Sequence, residues 1–140
     1  MNHKAHEEHH DKAFSSVDTA VERVVREVIG AGLSVHRVLG PGFIEPVYVR
    51  AFAVELRCRG VSFKEEHAIT VRYRGEDVAR QRLDLIVEGC VVVEVKAVKK
   101  LRPIHEAQIL SYPKASGCRV GLLMNFNVTL LKQGLRRFVR

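Results

Sequence analysis

Arg82-Leu83-Asp84-Leu85-Ile86-Val87-Glu88-Gly89-Cys90-Val91-Val92-Val93-Glu94-Val95-Lys96 holds two apolar runs joined at Glu88-Gly89-Cys90, a turn signal. The charged residues within those runs are Asp84 in the first and Glu94 and Lys96 in the second. Side chains along a strand alternate between faces, so Glu94 and Lys96, two apart, share one. If the turn is three residues long, Val87 faces Val91 and Asp84 lies directly opposite Glu94, with Cβ atoms roughly 4.5 to 5.5 Å apart. A two-residue turn would put Asp84 out of register. Two carboxylates so placed repel, and the flanking Val, Leu and Ile worsen the repulsion. A divalent cation between them removes the conflict, as in part does Lys96 beside them. Mg²⁺ (or Mn²⁺) suits a site of one or two carboxylates, several waters and a substrate phosphate. Lys96 would then steady an attacking water or the developing negative charge. Taken alone, Glu94-Val95-Lys96 is more often a solvated strand edge. Charges inside so apolar a run argue the other way, because burying unpaired charge is costly.

Upstream of this segment the period is helical. Asp18 or Ser16 fits a cap for a first helix in which Val17, Val21, Val24, Val25, Val28 and Leu33 recur, and Leu39-Gly40-Pro41-Gly42 breaks it. A second helix is expected from about Glu45-Pro46, with Val47, Ala51, Val54 and Cys58 as its buried stripe and Gly60 as its stop. The period then becomes two: Val61 and Phe63, then Ile69, Val71 and Tyr73, with a turn at Arg74-Gly75-Glu76-Asp77 and a strand from about Val78 to Val87. Downstream, Pro103 opens a third helix to about Ala115, closed by Ser116-Gly117. Val120 to Asn125 has buried-strand length, and Leu135 to Val139 fits a last edge strand. The order α-α-β-β-β-β-α-β-β predicts an α/β domain with a mixed central β-sheet flanked by helices.

The chain has 140 residues, which suits one domain with a genuine core. Residues 14–140 read as that domain. Residues 1–13 hold four of the seven histidines among Lys, Glu and Asp, and read as a disordered His-rich tail. No run approaches the roughly 18 to 20 apolar residues of a membrane span, and the N-terminus has no apolar region of a secretory signal. Cys58, Cys90 and Cys118 are odd in number and form no CxxC pair, which fits a reducing cytoplasm. The net charge of +7 is unevenly spread, since residues 96 to 140 carry ten Lys or Arg against Glu106 alone. Such a stretch fits a polyanion-facing surface, although charge by itself fits lysines that merely face water.

Asp84 with Glu94-Val95-Lys96 resembles the core of the PD-(D/E)xK nuclease superfamily. Gly42-Phe43-Ile44-Glu45-Pro46-Val47-Tyr48 resembles the signature of the bacterial GxxExxY proteins, a family with that nuclease-like fold. The likeness takes in Gly40-Pro41-Gly42, His105 to Tyr112 and Gly121 to Phe126, and covers nearly everything from Val17 to Arg140. It implies a restriction-endonuclease-like core in which Glu45 completes the acidic cluster. It also implies that Gln108 and Tyr112 form the QxxxY element on the helix after the ExK strand. Four apart, those two share a helical face and can hydrogen-bond a phosphate or the lysine, yet they fit a polar stripe equally well. Glu45 likewise fits a first-turn carboxylate favoured by the helix dipole, and Tyr48 a partly buried packing residue. Pro113 is a departure that brings the regularity of the helix beyond Tyr112 into question.

The expectation is therefore a cytoplasmic, Mg²⁺-dependent nuclease-like protein acting on DNA or RNA. Asp84, Glu94 and Glu45 would hold the metal, Lys96 would serve the nucleophile, and Gln108 and Tyr112 would orient the substrate or the lysine. Lys99, Lys100, Arg102, Arg136 and Arg137 would track the phosphate backbone. The rival expectation is a non-cutting nucleic-acid-binding protein, or a homo-oligomer that keeps the fold for assembly.

Overall fold

Asp18 starts the first helix: its carboxylate accepts the Ala20 N–H at 3.0 Å, and α1 runs over Thr19–Leu39. The computed structural model describes residues 17–140, so the expected tail at residues 1–13 and Ser16 lie outside the described residues. The buried stripe of α1 is Val25, Val28, Ala31, Gly32, Val35 and His36, and Leu33 is turned outward. Gly32 belongs to that stripe for a steric reason, since a Cβ there would press on Met124, Leu131 and Phe52.

The second helix, α2, spans Glu45–Cys58, but its inward face is one position away from the expected one. Tyr48, Phe52, Ala53 and Leu56 are buried, whereas Val54 and Cys58 are exposed. Both candidate sets recur at three- or four-residue helical spacing. The set with Tyr48, Phe52 and Leu56 removes more apolar area from water, and that decides the rotation. Tyr48 is thus fully buried rather than partly so.

Three strands follow where four were expected. β1 (Phe63–Tyr73) runs on through Lys64-Glu65-Glu66, with Glu66 held at φ 48°. β2 (Glu76–Val87) begins directly after the Arg74-Gly75 turn, so Glu76 and Asp77 belong to the strand. β3 is Val91–Lys96, α3 is Pro103–Ser116, β4 is Val120–Asn125 and β5 is Leu135–Val139. The helical backbone of α3 runs on past position 113. A short 3-10 turn at Leu131–Gly134, which no sequence pattern marked, feeds β5.

The sheet has five strands in the order β1-β2-β3-β4-β5. The β3/β4 pair, joined through α3, is parallel and the other three are antiparallel. Val91, Val93 and Val95 pack with α1 and α2, while Val92 packs with Ile109 and Tyr112 of α3. By alternation Glu94 and Lys96 face α3. The polar site therefore lies between the central strand and α3, at the end where β3 leaves the sheet.

Candidate active site

The turn at Glu88-Gly89-Cys90 is three residues long, and Val87 pairs with Val91, Ile86 with Val92 and Leu85 with Val93. One step further along this register, Asp84 stands across from Glu94. Asp84 Oδ2 accepts the Val95 N–H at 2.8 Å, so its side chain takes over a ladder hydrogen bond where backbone pairing ends. Glu94 is buried, at 7% exposure, and its Oε2 lies 3.5 Å from Lys96 Nζ. Its other oxygen, Oε1, is buried without a hydrogen-bond partner. A buried carboxylate oxygen left bare is costly, and native structures reserve such positions for a ligand, an ion or water.

Glu45 reaches this end of the sheet from the first turn of α2, where its Oε2 accepts the Ala97 N–H at 3.4 Å. The residues around it explain why it points there. The Tyr48 hydroxyl donates to Gly40 O at 2.6 Å and accepts the Phe43 N–H at 3.1 Å, closing the loop between α1 and α2. The Tyr48 ring stacks on Phe126 with centroids 4.7 Å apart, and Phe126 N–H donates to Lys96 O at 2.8 Å. The tyrosine thus ties the Glu45 loop to the end of β3.

Electrostatics follow from the crowding of acids. Burial pushes the Glu94 carboxyl up to about 7, and the negative charge of Asp84 adds to this while Lys96 opposes it. Burial also raises Asp84, with Glu45 adding to the effect and the Val95 N–H and Lys96 working against it. Tyr112 on α3 is buried and pushed up to about 12, first by burial and then by the charges of Glu94 and Asp84. Its hydroxyl therefore keeps its proton near neutrality and remains a donor facing the carboxylates. Gln108, one turn earlier, has its Oε1 buried without a partner.

Among the described residues, no three His, Cys, Asp or Glu side chains close into a ligand cage on their own. The donor set present, two carboxylates with one bare oxygen beside a lysine, fits a hard cation that keeps waters and takes phosphate oxygens. Glu45 bonds the backbone next to that pair, near enough for its charge to raise Asp84.

Sequence reasoning missed Asn125. It ends β4 directly beside Lys96, is buried, and holds Val98 by both backbone groups: Oδ1 accepts the Val98 N–H at 3.0 Å and Nδ2 donates to Val98 O at 2.9 Å. Gly134 sits so close that a Cβ would overlap the Asn125 carbonyl. The one signal was a single amide closing an otherwise apolar run. His105 and His36 have structural tasks: His105 Nδ1 accepts the Arg102 N–H at 3.0 Å before α3, and His36 Nε2 lies 2.8 Å from Val128 O.

The expected basic residues divide. Lys99, Lys100 and Arg102 are exposed on the segment between Asn125-anchored Val98 and α3. Arg136 pairs with Leu123, which pairs with Glu94, so it shares the row and face of the acids. Two strand spacings put it roughly 10 Å from Glu94. Arg137 points to the other face and is held by Glu22 of α1 at 2.6 and 2.9 Å. It is not part of this surface.

A mixed α/β sheet with opposed acids and a lysine where its central strand ends, backed by a Gln/Tyr helix, defines a nuclease-type core. The family model of the PD-(D/E)XK nuclease superfamily matches residues 22–138, and the chain belongs to that superfamily. Neither the curated proteins nor the solved structures include a match. No helix of the described residues is long and apolar enough to cross a membrane.

Proposed function

We propose that this chain is a divalent-cation-dependent nuclease that hydrolyses phosphodiester bonds of DNA or RNA. The observation that carries the reading is the bare, buried Glu94 Oε1 across from Asp84 and beside Lys96. Asp84 and Glu94 would hold Mg²⁺ or Mn²⁺, with Glu45 supporting from the α2 N-terminus. Bound there, such a cation supplies Lewis-acid polarisation of a phosphoryl oxygen and lowers the cost of bringing a polyanion to the acids. Lys96 donates to the attacking water or to the charge that develops on phosphorus-bound oxygen. Tyr112 donates from its protonated hydroxyl, and Gln108 offers an amide to the phosphate or the lysine. The GxxExxY likeness belongs to this reading, supported by the way Tyr48 fixes the loop that carries Glu45.

Cleavage of a labelled oligonucleotide in millimolar Mg²⁺ or Mn²⁺, abolished by a chelator and restored by fresh metal, tests the proposal directly. Undiminished cleavage in chelator would remove the metal from the mechanism. No cleavage of DNA or RNA with either ion would favour the non-cutting alternative.

Lys99, Lys100, Arg102 and Arg136 form the proposed phosphate track. Binding should weaken steeply with salt, with log K falling at about −0.9 per phosphate neutralised on B-DNA or about −0.7 on single strands. Replacing Lys99 and Lys100 by Ala should flatten that slope by up to two such increments, read by fluorescence anisotropy at several salt concentrations. An unchanged slope would take these lysines out of the track.

A further inference from the structure

The β1–β2 hairpin is longer than the sheet that supports it. β3 pairs only with the last few residues of β2, so residues from Ala68 to Gln81 bond only to each other within the hairpin. A two-stranded ribbon is marginal by itself, and a strand edge with unpaired backbone groups is a template for another strand. β1 is the terminal strand of the sheet, so its outer edge is such a template among the described residues.

Most of that edge is blunted. Lys64, Glu65 and Glu66 are exposed charges, Glu66 breaks the extended backbone, and the register shifts between Val71 and Arg72. Between these irregularities runs His67-Ala68-Ile69-Thr70-Val71, regular in register, without Lys, Arg, Asp or Glu, and rich in β-branched residues. These same residues line an open groove whose other wall includes Ser111 and Ser116 of α3. Among the described residues, this regular stretch of edge thus borders an open groove.

We propose that this edge pairs with the same edge of a second copy of the chain, antiparallel about a two-fold axis at Ile69. In that register Glu66 of each copy faces Arg72 of the other, so the two charged residues that bound the apolar stretch neutralise each other across the axis. A two-fold interface must be self-complementary, and this stretch is. The hairpin from Lys64 to Arg82 carries five Lys or Arg against four Asp or Glu, a near-balance that suits a protein partner better than a polyanion. The intramolecular pairs Arg72–Asp77 at 3.0 Å and Arg82–Glu66 at 3.6 Å are exposed and can be shared with the partner. Pairing would join two sheets into one of ten strands, and would do so whether or not the chain cuts nucleic acid.

Sedimentation equilibrium of the full chain, with circular dichroism as the folding control, tests this. The wild type is expected to be a concentration-dependent dimer. Glu66→Arg and Arg72→Glu should each weaken it about tenfold, because each places like charges at two symmetric positions. The double variant, Glu66→Arg with Arg72→Glu, should restore wild-type dimerisation. A wild type that stays monomeric at every concentration up to roughly 1 mM overturns the proposal. So does a dimer that both single reversals leave unchanged, or a double variant as weak as the singles.

Discussion

Metal-free Glu94→Gln protein should melt higher than the wild type at pH 8 and at nearly the same temperature at pH 5. Glu94 is buried and its carboxyl is raised from 4.5 to about 7, so the folded state binds its proton more tightly than the unfolded state does. A group raised in this way contributes stability that is fully present below the unfolded value. That contribution is lost as pH climbs through the folded one. At pH 8 the ionised Glu94 faces Asp84, which Glu45 also crowds, and Lys96 is the cation that opposes them. The loss is about 3 kcal/mol in the metal-free protein, which corresponds to a Tm difference on the order of 10 °C. Gln keeps the shape and removes the charge, so Lys96 has one acid fewer to offset. Saturating Mg²⁺ or Mn²⁺ should then reverse the order. The wild type gains from a ligand that binds only the native state, about 4.1 kcal/mol at one thousand times Kd, which exceeds that loss, and the variant gains little. Melting curves at the two pH values, with and without metal, read all four states. An equal metal response in wild type and variant would place the cation elsewhere, and a variant less stable at pH 8 would mean that Glu94 is relieved within the protein itself.

The acid pair was legible because its geometry is local. The spacing of Asp84 and Glu94 about Gly89, a three-residue turn and strand alternation are enough to put both carboxylates on one face. What sequence could not carry was whatever depends on a distant partner. Arg137 reads as one more cation until Glu22, in the first helix, takes it out of the phosphate surface. Asn125 has no visible task until Val98, across the β3/β4 seam, comes within reach of its amide. The rotation of α2 was ambiguous for a different reason. Val47-Ala51-Val54-Cys58 and Tyr48-Phe52-Leu56 have compatible helical spacing, and the larger apolar area of the aromatic set decides between them. That rotation matters for the site, because Tyr48 fixes the loop from which Glu45 projects.

Lys96→Met should lower cleavage by about two to three orders of magnitude while leaving the cation in place. Removing one preorganised donor to a developing oxyanion typically costs that much. Lys96 is largely buried and 3.5 Å from Glu94 Oε2, so no solvent cation stands in for it easily. Methionine preserves most of the length and apolar contact of the side chain. Its effect should therefore fall on chemistry, and on the charge balance of the acids, rather than on folding. With the lysine gone, less opposes the repulsion between Asp84 and Glu94, chiefly the Val95 N–H on Asp84, so the metal-free variant should lose stability at pH 8 and gain more from Mg²⁺ than the wild type does. Asp84→Ala should abolish cleavage to a similar or greater extent but also erase the metal-dependent rise in Tm. The two variants thus separate a residue that acts on the reacting phosphate from one that holds the ion. Wild-type cleavage by Lys96→Met would remove the lysine from the chemistry. Loss of the metal response in Lys96→Met would make it a support for the ion site instead.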